Sequence, residues 1–219
     1  MKKMIVICLV LSCAAAVFAQ RNENGVITEL TGTVELKAQG RNNFVPAKTG
    51  DTVAKDTIIS TGFRSTALIR AGSTVLTVRP LTRLSLSEIS RIENREELNV
   101  NLQTGRVRAD VKPPAGTRAI MSIQSPIATA SVRGTSFEFD TQAIIVYEGT
   151  VVFQGKSGKP MLVNAGLVSE IKSDSSSSDP SASFDDALYP PPPAGYDSGF
   201  RKEKAQAPSG GFGMRFNLK

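Results

Sequence analysis

The chain has 219 residues, a hydrophobic fraction of 40% and a formal net charge of +6, with two cysteines and neither histidine nor tryptophan. That length accommodates one or two domains. The missing histidine excludes Ser-His-Asp catalysis and His-ligated zinc or iron sites. Carboxylate-pair hydrolysis and Ser-Lys catalysis stay open, and no D-x-D-x-D-G loop offers calcium a site.

The first element is "MKKMIVICLVLSCAAAVFAQ". Lys2 and Lys3 form a positive start, Met4 to Leu11 an apolar run, and Ala14 to Ala19 a stretch rich in small residues. The run is shorter than the ~20 residues needed to cross a bilayer. Residues 1–19 therefore read as a secretory signal peptide, cut after Ala19. "VLSC" offers a competing reading as a lipidation site at Cys13; Leu11 and the short preceding region stand against it. After cleavage at Ala19 no cysteine remains, so no disulfide framework is expected. Without Lys2 and Lys3, 24 basic and 20 acidic side chains remain, a net of +4. No later apolar run is long enough to form an integral membrane segment.

Residues 25–172 form the next unit. Short β-forming runs such as "TALIR", "TVLTV", "RLSLSEI", "LNVNL", "RVRADV", "AIIVYE" and "TVVFQ" alternate with Gly- and Pro-centred turns. This pattern predicts an all-β domain of many short strands, either a short β-solenoid or a twisted sandwich. Ser87 to Leu98 is the most charged stretch, read as a helical turn or an exposed hairpin tip. From Ser173 the character changes. "SDSSSSDPSAS", "YPPPPAGY" and "APSGGFG" are low-complexity segments, so residues 173–219 read as a disordered tail. That tail is acidic to Phe200 and basic beyond it.

Within the body, "SPIATASVRGTSFEFD" carries a change of phase. Ala128, Ala130 and Val132 share one face, whereas downstream the apolar residues are Phe137 and Phe139. One residue of phase must be absorbed between them, and a bulge or corner at Gly134 does this. The triplet Arg133, Gly134, Thr135 is thus either a recognition element or a structural turn. In the structural reading, Arg133 bonds acceptors freed at the corner and Thr135 caps the turn. In the functional reading, Arg133 presents a cation to a ligand.

The runs "STALIRAGSTVLTVRPLTRLSL", "LQTGRV", "IQSPIATASVRGTSFEF" and "VYEGTVVF" together resemble a FecR domain, over roughly Gly32 to Val168. The resemblance implies the fold and a bacterial envelope location. The best-known members of that family relay a receptor's state to a sigma factor, and carry an anti-sigma region and a transmembrane helix before the domain. Here a cleavable signal stands in that place, so sigma-factor regulation is not implied. Ala71 also occupies a turn position where the family often has an acidic residue.

The expectation is an exported, non-catalytic, periplasmic or secreted protein that binds an envelope protein or an anionic cell-wall glycan. No cofactor is implied. Nucleic acid is excluded by export and by the absence of aromatics interleaved with the cations. Two alternatives remain: an envelope scaffold, and a carboxylate-based glycan-acting enzyme using acids such as Glu138, Asp140 and Glu148.

Overall fold

The structure, a computed structural model, describes residues 24–181. The signal peptide expected over residues 1–19, the alternative at Cys13, and the tail beyond Ser181 lie outside the described residues.

Seventeen strands and no helix make up the described residues. The first seven are β1 (Gly25–Thr31), β2 (Val34–Lys37), β3 (Val45–Pro46), β4 (Thr52–Val53), β5 (Ile58–Thr61), β6 (Thr66–Ala71) and β7 (Thr74–Val78). Then come β8 (Arg83–Ile92), β9 (Arg95–Thr104), β10 (Arg106–Val111), β11 (Arg118–Gln124) and β12 (Ala128–Val132). The last are β13 (Ser136–Asp140), β14 (Ala143–Glu148), β15 (Thr150–Gly155), β16 (Met161–Asn164) and β17 (Val168–Glu170). They form two open sheets. The first has the order β17-β14-β13-β10-β7-β6-β1-β4, the second β16-β15-β12-β11-β9-β8-β5-β2-β3.

The architecture is the sandwich alternative. A solenoid stacks parallel strands, but here only β9 and β11 pair in parallel among the described strands. The sequence looked repetitive for a different reason. The chain lays one or two strands in one sheet, crosses to the other, and from β5 onward advances along the sandwich as it crosses. Both sheets turn their alternate residues inward onto one hydrophobic cluster. Phe139 of the first sheet meets Phe153 of the second edge to face, with ring centroids 5.9 Å apart. Small residues lie beside the large ones: Ala109 is the cross-strand partner of Phe137, and Ala130 that of Phe153. That pairing of volumes keeps the layers closely packed.

The charged stretch from Ser87 to Leu98 is the β8–β9 hairpin, with Glu93 at φ 51° in its turn. The body also continues past Lys172, which corrects the boundary expected there. Ser181 and Val168 exchange backbone hydrogen bonds of 2.9 Å, and Ser178 donates its backbone N–H to the Glu170 carbonyl at 2.7 Å. The Ser169 hydroxyl donates to the Ser178 carbonyl at 2.8 Å. Low apolar content suggested disorder, but these serines cover the open edge of β17 through main-chain bonds, which need no apolar surface.

Candidate functional site

Residues 133–135 form the crossing from β12 in the second sheet to β13 in the first. Val132 and Phe137 both face the shared core from opposite layers, so the phase change follows from the crossing. Gly134 has φ +61°, the left-handed region where L side chains are strained. A Cβ placed there would meet only Pro113, at 3.8 Å, so the backbone angle alone favours glycine.

A second crossing, from β14 to β15, lies against the first. Its Gly149 has φ +77°, and a Cβ there would come within 2.7 Å of the Thr135 methyl. Thr135 is buried, and its hydroxyl has no hydrogen-bond partner. Its work is therefore packing, not capping. Its carbonyl accepts the Val111 N–H at 2.9 Å, which ties the corner to β10. Arg133 differs from both neighbours. It is exposed, and no hydrogen bond or ion pair holds it among the described residues. The guanidinium fork expected under the structural reading is not formed.

A group of arginines that bond acids lies on the outer face of the first sheet, apart from the Arg91–Glu96 and Arg95–Glu97 pairs of the β8–β9 hairpin. Alternation points Arg106, Arg108 and Asp110 of β10 outward, opposite Asp140, Glu138 and Ser136 of β13. Glu138 is buried and bonded by Arg79 Nη2 at 3.0 Å and Arg106 Nη1 at 3.4 Å. Arg108 holds Asp110 through two 3.2 Å bonds, and the Ser136 hydroxyl donates to Asp110 at 2.5 Å. Tyr147 completes the group. Its ring lies under the Arg108 guanidinium, 4.6 Å from the centroid, and its hydroxyl donates to Glu138 at 3.5 Å. Burial, then the negative charge of Glu138, push the Tyr147 hydroxyl up to about 12. The sequence carried half of this signal: alternating cations in "RVRADV" and acids in "SFEFD". Their pairing became visible only with the strand order.

The three acids considered for catalysis serve different ends. Glu138 is enclosed by arginines. Asp140 caps the β13–β14 turn, accepting the Gln142 and Ala143 N–H groups at 2.7 and 2.8 Å. Glu148 is exposed. Among the described residues no three metal-ligating side chains cluster.

A feature the sequence did not announce lies on the outer face of the second sheet. A groove of about 450 Å³ is lined by Asn101, Gln103, Gln124, Thr129, Gln154 and Lys156, among others. No hydrogen bond among the described residues occupies these six side chains.

Residues 57–152 match the family model described as FecR protein. This stretch runs from just before β5 into β15 and contains the arginine–acid group and the corner. Two crystal structures of a candidate anti-sigma factor from Parabacteroides distasonis ATCC 8503 are similar to this chain at 15% identity, with TM-scores of 0.45 and 0.44. Each match covers 57% of this chain and 60% of the other, so less than two thirds of those proteins is spanned. No curated protein matches the chain.

Proposed function

We propose that this is an exported, non-catalytic bacterial envelope protein whose FecR domain is a binding or signalling module, with Arg133 as its recognition cation. The observation that carries the reading is the position of Arg133. It stands exposed and untied on a corner that Gly134, Thr135 and Gly149 hold in place. A rigid mount spares binding the cost of ordering the backbone. The engagement of Glu138 and Asp140 within the fold supports the non-catalytic assignment.

The test is capture from a bacterial envelope extract by the wild type and by Arg133→Ala in parallel. One protein retained by the wild type and released by the variant supports the proposal. Equal capture by both removes Arg133 from recognition. A second reading, glycan binding, is favoured by the groove. Its amides and hydroxyl suit sugar hydroxyl groups, and Lys156 suits an acidic substituent. Retention on purified cell-wall polymer, lost in Gln124→Ala, would support that reading; equal retention by the variant would remove the groove from it.

A further inference from the structure

Exposed apolar side chains scattered singly need no explanation. Two of the most exposed here are not scattered. Phe63 is 66% and Leu81 61% exposed, and the Leu81 N–H donates to the carbonyl of Gly62, the residue before Phe63, at 3.2 Å. They protrude from one end of the sandwich, on the β5–β6 and β7–β8 loops.

The loops that display them are rigid. Arg64 and Leu81 have φ of 52° and 56°, angles that non-glycine residues hold only when the surroundings impose them. Three buried hydroxyl side chains impose them here. Ser65 Oγ accepts the Thr33 N–H at 2.8 Å and donates to the Phe63 carbonyl at 3.0 Å. Thr61 Oγ1 donates to the Arg79 carbonyl at 2.6 Å and accepts the Thr82 N–H at 3.0 Å. Thr82 Oγ1 donates to the Arg106 carbonyl at 3.0 Å. Gly32 and Gly105 complete the supports, since a Cβ on either would collide with Ser65 or Thr82.

The same end of the sandwich is positively charged. The four segments that converge here, 31–33, 61–65, 79–83 and 104–106, contain four arginines and no acid. Arg79 and Arg106 turn to Glu138. Arg64 stacks on Phe63, 5.2 Å from the ring centroid, and Arg83 lies over Phe44 at 5.5 Å, with Lys37 at 5.4 Å from the same ring. Among the described residues no ion pair holds Arg64, Arg83 or Lys37.

From this arrangement we infer that the Phe63–Leu81 tip docks peripherally on an anionic phospholipid surface. Size favours lipid over a protein partner. A stable protein interface buries roughly 800 Å² on each side, whereas one phenylalanine ring brings about 150–250 Å² and a leucine adds less. A bilayer needs no matching surface; apolar side chains enter below the headgroups while cations stay among the phosphates. This inference stands apart from the role proposed for Arg133, which lies in another loop.

The chain's lack of tryptophan makes the test local. In the full chain, Phe63→Trp places a single fluorophore at the tip. On vesicles of phosphatidylglycerol mixed with phosphatidylethanolamine, its emission should move to shorter wavelength and be quenched by brominated acyl chains. Adding Leu81→Ser should weaken that partition roughly tenfold, the loss expected for one inserted leucine. Unchanged emission while the protein sediments with vesicles would overturn the inference, because another part of the chain would then be binding. A shift that follows protein concentration without vesicles would also overturn it and make the tip a contact between copies. Because Phe63 and Leu81 are exposed, melting curves of the variants should match the wild type, which separates lost docking from lost folding.

Discussion

Two places in this molecule hold arginines in opposite circumstances, and the contrast explains more than either place alone. On the outer face of the first sheet, Arg79, Arg106 and Arg108 bond Glu138 and Asp110. At the β12–β13 corner, Arg133 bonds nothing among the described residues and faces solvent. The first group is part of what holds β7, β10 and β13 together. The second residue has no such task. Arg106 and Arg108 are committed because strand register sets acids beside them, and Arg79 because its crossing starts beside β10; the β12–β13 crossing carries Arg133 away from any such acid.

The largest effect should come from breaking the committed group. Glu138→Ala leaves Arg79 and Arg106 facing each other without their acid, and Arg79 is only 13% exposed in its side chain. Removing one partner of a buried pair costs about 3–5 kcal/mol; Arg106, at 32%, can turn to water, which places the expected loss near the lower end. Urea unfolding at neutral pH measures it. A loss below about 1 kcal/mol, as for exposed pairs, would erase the distinction drawn here.

Next come the two crossings. Gly149→Ala combines a left-handed backbone with a collision against the Thr135 methyl, whereas Gly134→Ala meets only the backbone angle. The second should cost about 1–2 kcal/mol and the first clearly more. Equal losses would show that the crossings do not pack on each other as described.

A smaller effect concerns pH. The folded Tyr147 hydroxyl titrates at about 12, against 10.0 for an ordinary tyrosine. The unfolded chain therefore releases this proton first. The stabilisation is complete below about pH 10 and lost as pH rises towards 12. Tyr147→Phe should flatten that part of the alkaline stability profile relative to wild type. Parallel profiles would mean that the hydroxyl is not held against Glu138.

Much of this was legible in the sequence, for physical reasons that particular residues show. Period-two alternation in "TALIR" and "RVRADV" is imposed by the pleat, so the strands could be read directly. The parity change between Val132 and Phe137 announced a corner. Three things were not legible. Sheet order is set by long-range pairing, so the meeting of Arg106 and Arg108 with Glu138 and Asp110 was hidden. Main-chain bonding carries no composition signal, so Ser173 to Ser181 looked like tail. And nothing in "VRGTS" distinguishes an arginine that bonds the corner from one that leaves it. That depends on the layer crossing, which leaves Arg133 exposed to solvent.

The most direct measurement is therefore the unfolding free energy of Arg133→Ala beside that of Glu138→Ala. Arg133→Ala should stay within about 0.5 kcal/mol of wild type, as exposed substitutions do, while Glu138→Ala loses several-fold more. A loss at Arg133 of about 1.5–3 kcal/mol, the value of a charge-assisted bond, would contradict this and return Arg133 to the fold.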